Sequence, residues 1–185
     1  MVDKIMLPEV FMQTKRLTLK NVRISQLDDM LNLDADPEVM RFITVGVPRT
    51  DPKHHLDAIP RLIKYAIENP GLGLWNTYMK NTNEYVGWYI LKHLPETGEV
   101  EVGFRIHKKF WNQGLSTEIG KALIKHGFKT VGLERIIAIV RPDNFASQAV
   151  IKKIGLKEEG TGTFHDVHCL YFGLNRNEPL NAVAQ

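Results

Sequence analysis

The sequence predicts an α+β domain built on a mixed, mostly antiparallel sheet of about seven strands flanked by helices. Three observations carry that prediction. In Glu99–Ile106, Val100, Val102, Phe104 and Ile106 point one way while Glu99, Glu101, Gly103 and Arg105 point the other, the period of a strand. From Thr117 a helical pattern takes over, with Ile119, Ala122 and Leu123 on one stripe, and it ends near Lys129 before a second strand-like run, Arg135–Val140. A helix between two such strands makes them a right-handed parallel pair. Elsewhere the signals are those of hairpins, which makes the remaining neighbours antiparallel. Leu74–Lys80 and Glu84–Lys92 are joined by the polar turn Asn81-Thr82-Asn83, and Leu156–Phe164 is followed closely by Asp166–Leu174.

The other elements follow in chain order. Met1–Gln13 has little pattern and reads as a loose lead-in. Arg16–Val22 alternates around Leu17 and Leu19 as a first strand. Ser25, with Asp28 three residues on, resembles an N-cap for a helix carrying Leu27, Met30 and Leu31. That helix stops before Pro37, and Asp36–Met40 starts a short second turn. Thr50-Asp51-Pro52 opens a longer helix to Glu68, with Leu56, Ile59, Ile63 and Ile67 as its buried stripe. Pro60 inside it should kink or split it. Gly132 is a plausible C-cap, and the apolar run Arg135–Val140 suits a strand buried on both faces. Pro142-Asp143-Asn144 ends that strand and caps a helix over Phe145–Ile154. Without repeats or a linker, one domain is expected over residues 14–175, with terminal extensions at 1–13 and 176–185.

Composition narrows the function classes. The chain has 185 residues, 43% hydrophobic and 24% charged, ordinary values for a globular protein large enough to bury a full core. A net charge of +3, with basic and acidic residues interspersed, gives no case for nucleic acid. The single cysteine, Cys169, rules out an intramolecular disulfide framework and suits a reducing cytoplasm; it reads as buried and inert. No run approaches the ~20 apolar residues of a membrane span, and Met1–Val10 lacks the apolar centre of a signal peptide. A soluble cytoplasmic protein is expected. The histidine pairs His54/His55 and His165/His168 lack convincing metal spacing, so no metal site is expected. Trp75, Tyr78, Trp88 and Tyr89 sit on hairpin strands and read mostly as core, with one or two free to wall a cleft.

The junction between strand and helix is the chemically suggestive stretch. Trp111-Asn112-Gln113-Gly114-Leu115-Ser116 offers successive backbone N–H groups at the positive end of the helix, a setting suited to a phosphate or pyrophosphate.

Five pieces in this order resemble the GNAT superfamily of acyl-CoA-dependent N-acetyltransferases, and within it the branch that acetylates N-terminal amines of ribosomal proteins. They are Arg16-Leu17-Thr18-Leu19, Asp36-Pro37-Glu38-Val39-Met40, Val100-Glu101-Val102-Gly103-Phe104, Trp111 through Glu118, and Asn144-Phe145-Ala146-Ser147 running on to Lys153-Ile154-Gly155. The resemblance covers about residues 14–175. It implies a V-shaped opening between the two parallel strands that admits the pantetheine arm of acetyl-CoA, against the backbone near Phe104, Arg105 and Ile106. The pyrophosphate would rest on Trp111, Asn112, Gln113, Gly114, Leu115, Ser116 and Thr117, with Asn144 and Ser147 beside the arm. Trp111 is usual for the ribosomal branch, and Ser116 replaces the family's glycine or alanine with another small residue. Lys108, Lys109, Arg141 and Lys152 are candidates for the 3′-phosphate.

Attack of an amine on a thioester needs a base for the ammonium proton, an oxyanion donor and an acid for the departing thiolate. Glu101 is the expected base, acting through a water, because partial burial raises a carboxylate's pKa towards a useful value. Its alternative is a strand-face residue paired with Arg105. Ser147 is the candidate proton donor because the resemblance puts it at a position near the thioester sulfur; the tyrosine that many GNAT enzymes use for this task, one turn further on, is replaced here by Ile151. Asn144 belongs at a helix N-cap, worth ~1 kcal/mol by itself, and the resemblance adds a role in holding the arm or a water. The acceptor would be shaped by Phe42–Gly73 and the final hairpin. A peptide N-terminus is the first expectation, a small-molecule amine the second, and a non-catalytic CoA-binding module the third; the protein would be a monomer or a homodimer. The final hairpin is shorter than is usual in the ribosomal branch.

Overall fold

The computed structural model of the chain describes residues 7–43 and 46–178. Its strands are β1 (Val10–Gln13), β2 (Leu17–Asn21), β3 (Gly73–Met79), β4 (Tyr85–His93), β5 (Val100–Ile106), β6 (Arg135–Val140), β7 (Lys157–Phe164) and β8 (Val167–Asn175). Its α-helices are α1 (Leu27–Ala35), α2 (Pro37–Met40), α3 (Lys53–Glu68), α4 (Leu115–His126) and α5 (Phe145–Lys153). The eight strands form one sheet in the order β1-β2-β3-β4-β5-β6-β8-β7. Only β5 and β6 pair in parallel; the other neighbours are antiparallel. Among the described residues no helix is long and apolar enough to cross a membrane.

The sheet is covered on both faces. The main core joins Leu17, Trp75, Tyr89, Val102 and Ile106 of the sheet to Leu115, Ile119 and Leu123 of α4 and Ile151 of α5. On the opposite face Val22 meets Met30 of α1 and Ile59 of α3. Alternation along each strand sorts side chains between these layers: Trp75 enters the first and Leu74 packs on the second.

Several expectations need correction. Val10–Gln13 is not lead-in but an edge strand, which brings the count to eight. It is anchored by Phe11, whose ring stacks on Trp75 at 4.1 Å. Residues 1–6 and 179–185 of the expected extensions lie outside the described residues. Ser25 does not cap α1; the backbone N–H of Arg23 instead donates to Gln26 Oε1 at 2.8 Å, ahead of a short 3₁₀ turn. Pro60 does not split α3, which runs unbroken from Lys53 to Glu68. Pro60 lies on the solvent side, where water can satisfy the carbonyl it leaves without a partner. Leu56 is 43% exposed and outside the buried stripe, which is His55, Ile59 and Ala66. His55 turns inward because it meets a buried carboxylate, Asp34. The helix after β5 begins at Leu115, two residues early, and ends in a π turn closed by Gly132 at φ 85°.

Candidate active site

The site starts where the two parallel strands part. β5 pairs with β4 along its whole length, from Ile106 opposite Gly87 to Val100 opposite His93. Against β6 it keeps a single pair, Glu101 opposite Ile137, while β6 stays joined to β8 throughout. Beyond Glu101, then, the edge of β5 that would face β6 is free of it. Two contiguous cavities of about 450 and 520 Å³ occupy the gap, sharing Phe42, Ile43, Phe104, Arg105, Asn144 and Ser147.

The larger cavity ends at the turn into α4. Trp111, Asn112, Gly114, Leu115, Ser116 and Thr117 all line it, together with Phe104, Arg105 and Ile106 of β5. Asn112 and Gly114 take positive φ, 59° and 72°, which curls the backbone where it enters α4. Side chains on both sides of the turn brace it. The indole Nε1 of Trp111 donates to the Ile106 carbonyl at 3.0 Å, and the Ser116 hydroxyl turns inward to Tyr89 Oη at 3.0 Å. Gln113 is not among the lining residues: its side chain donates to the Lys109 carbonyl at 2.7 Å. Its own carbonyl accepts from Arg16 Nη1 at 2.9 Å. Glu118, in the first turn of α4, accepts from Thr14 Oγ1 at 2.6 Å, Arg16 N at 2.9 Å and Arg16 Nε at 2.7 Å. Gly114 and Ser116 at the N-terminus of α4 thus line a cavity, while Arg16 and Glu118, which brace the turn, are not among its lining residues. That cradle fits a diphosphate.

The smaller cavity holds Glu101. Its carboxyl group is pushed up to about 7 by burial, only partly opposed by Lys92 across the β4–β5 pair. The alternative partner is engaged elsewhere: Arg105 binds Asp34 of α1, and its guanidinium lies over the Trp88 ring at 4.7 Å. Asn144 caps α5 by accepting from the Ser147 backbone N–H at 3.1 Å, and both residues line both cavities. Ile151, one turn beyond Ser147, is 2% exposed and closes the wall. Cys169 also lines this cavity, with its thiol pushed up by burial, which leaves it a poor nucleophile. Trp75, Tyr78 and Tyr89 are buried, and Trp88 forms part of the cavity wall.

The four basic candidates for a 3′-phosphate all have acidic neighbours. Lys108 lies 3.6 Å from Glu38, Lys152 lies 3.5 Å from Glu158, Lys109 pairs with Glu84, and Arg141 bonds Asp143 at 3.1 Å. Lys153, which was not among those candidates, lines the larger cavity. A buried cluster was missed as well. Asp34, 3% exposed, is met by Arg105, by His55 Nε2 at 3.5 Å and by Arg49 Nη1 at 3.8 Å. Among the described residues no group of three or more His, Cys, Asp or Glu could hold a metal ion.

Comparison with known proteins agrees with this geometry. A family model described as an acetyltransferase (GNAT) domain matches residues 16–157. The chain is 31% identical over 153 residues to the FsC-acetyl coenzyme A-N(2)-transacetylase of Aspergillus fumigatus, covering 78% of this chain and 64% of that protein. It is 28% identical over 148 residues to the uncharacterised N-acetyltransferase p20 of Bacillus licheniformis, over 80% of this chain and 82% of that one. A GNAT-family acetyltransferase structure from Bacillus anthracis superposes with a TM-score of 0.76 at 23% identity, covering 91% of this chain and 99% of that one. With the family model spanning most of its length and its central strands parted beside a helix N-terminus, this chain belongs to the GNAT acetyltransferase family.

Proposed function

We propose that the protein is an acetyl-CoA-dependent N-acetyltransferase whose acceptor is a small primary amine. One observation carries the reading: a strand pair that separates at Glu101, with an amide cradle at one end of the gap and a carboxyl group titrating near neutrality at the other. When bound, acetyl-CoA supplies the acetyl group as an activated thioester. The amides from Asn112 to Thr117 would hold its diphosphate, and the free edge of β5 near Phe104 and Ile106 would align the arm. Glu101 would take the proton from the incoming ammonium, directly or through a water, leaving the lone pair for attack. Ser147, at the junction of the two cavities, has the hydroxyl suited to return a proton to the sulfur. Asn144 fixes Ser147 through the cap at the start of α5.

The smaller cavity's volume of about 450 Å³ lies in the range of small-molecule sites, roughly 300–1,000 Å³. Its lining has three arginines and one carboxylate, unlike the acidic groove that would draw in a protein's cationic N-terminus. A protein N-terminal amine is the second reading, favoured by the tryptophan that opens the phosphate turn. The test is thiol release from acetyl-CoA against small amines and short peptides, with Glu101→Gln as control. Turnover confined to peptides would transfer the reading to the second acceptor class. Tight binding of acetyl-CoA without acetylation of any amine would leave a CoA-binding module.

A further inference from the structure

Charge in the smaller cavity is unevenly placed. Glu101 stands on the β5 floor, and Arg49, Arg105 and Arg141 stand in the walls. Arg141 is bonded to Asp143 at 3.1 Å. Arg49 and Arg105 share one carboxylate, Asp34, and the sharing is unequal: Arg105 bonds it closely, whereas Arg49 stays 3.8 Å away. Arg49 instead directs an N–H at His54 Nε2, 3.1 Å off. Burial and the neighbouring cations lower the pKa of both His54 and His55, so neither ring adds charge near neutrality and His54 can accept that bond. The cluster is therefore left with one positive charge in excess. Arg105 is 7% exposed, and among the described residues its Nε has no hydrogen-bond partner. A cation so placed gains from an anion that enters the cavity desolvated.

Building on the acetyltransferase reading, we infer that the acceptor bears a carboxylate as well as the reacting amine, the amine at Glu101 and the carboxylate against Arg49 and Arg105. The floor between the two ends bounds the length of this molecule. Glu101 and Arg105 lie on one face of β5 four residues apart, roughly 13 Å between backbone positions at the rise of a strand. The Glu101 carboxylate leans along the strand towards Gly103, so that figure is the outer limit of the span rather than the distance between the charged ends. Gly103 lies midway, and a Cβ there would come within 3.1 Å of Ile90 and 3.5 Å of the Glu101 carboxylate. The missing side chain makes room there for Ile90 and for the Glu101 carboxylate.

The test is thiol release from acetyl-CoA by the full chain, with ω-amino carboxylates of increasing length and their matched ω-amino carboxamides as acceptors. Each carboxylate should exceed its amide in kcat/KM by ~10-fold or more, with the optimum at an intermediate chain length. Arg49→Gln should bring acid and amide together while leaving the KM for acetyl-CoA in place. The wild-type comparison requires no variant, so a misfolded Arg49→Gln protein would not rescue the inference. Equal turnover of acids and amides would overturn it and leave the acetyltransferase reading intact. No thiol release with any amine, despite acetyl-CoA binding, would overturn both.

Discussion

Glu101 shows how a single residue was legible and its neighbours were not. Alternation along Glu99–Ile106 put its side chain on the face opposite Val100 and Val102, and a carboxylate on a central strand is seldom idle. Arg105, on the same face, was equally visible, but its partner was hidden. Asp34 lies 71 positions away on another element, and no local pattern announces such a pairing. The same holds for Arg49 and His55, which meet Asp34 only through the fold. If Glu101 is the base, activity has a definite pH dependence. Its carboxyl group, raised from 4.5 to about 7, is mostly protonated below neutrality and ionised above it. Activity should therefore rise through about pH 7. Glu101→Gln should lower kcat ~10²–10³-fold and flatten that rise, with acetyl-CoA affinity kept. Wild-type activity with the pH step intact would move the base elsewhere.

Stability should respond in the opposite sense. Because the folded pKa is raised, burying this group is harmless below pH 4.5, where it is protonated in both states, and stability is lost progressively up to about 7. Glu101→Gln should accordingly stabilise the fold by at most ~3 kcal/mol at pH 8 and make no difference at pH 4. Thermal melts at the two pH values check this, and equal melting temperatures at pH 8 would count against a desolvated carboxylate.

At the scale of elements, the parallel pair, both hairpins and the turn into α4 followed from periodicity and turn chemistry. β1 escaped because it is four residues long, on an edge, with a register shift between Val10 and Met12 that breaks its alternation. The start of α4 was misjudged by two residues because the helix is entered from a left-handed glycine, with no side-chain cap. That turn carries two predictions. Gly114 has φ 72° with no atom nearer than 3.7 Å to a built Cβ, so a side chain there fits the space but not the backbone. Gly114→Val should cost ~1–2 kcal/mol in strain and abolish acetyl-CoA binding by covering the amides. An unchanged Kd would exclude the turn as the diphosphate cradle. Glu118 acts at one remove, tying α4 to Arg16, which in turn holds the Gln113 carbonyl. Glu118→Ala should weaken acetyl-CoA binding ~10-fold, the equivalent of one charge-assisted hydrogen bond, with kcat at saturating cofactor little altered. A loss confined to kcat would contradict this positioning role.

For the molecule as a whole, periodicity supported a mixed sheet with one parallel step, while the separation of β5 from β6 was expected from the family resemblance and from no local pattern. Separation depends on the other partners that β5 and β6 have within the sheet. β5 is drawn against β4 by seven pairs, β6 against β8 by six, and only Glu101 and Ile137 still meet. No window of sequence contains those competing registers. Parting the strands leaves backbone groups of β5 without a partner strand, which makes this gap the weakest line through the sheet and the place where a ligand adds most. Acetyl-CoA at about 100 times its Kd should contribute ~2.7 kcal/mol, which for a chain of this length raises Tm by roughly 5–10 °C. Hydrogen exchange should slow most in Val102–Ile106 and Asn112–Thr117 and little in the β2–β3 pair. Protection spread evenly over the sheet would indicate general tightening, whereas protection concentrated at the gap is what a ligand threaded between the two strands requires.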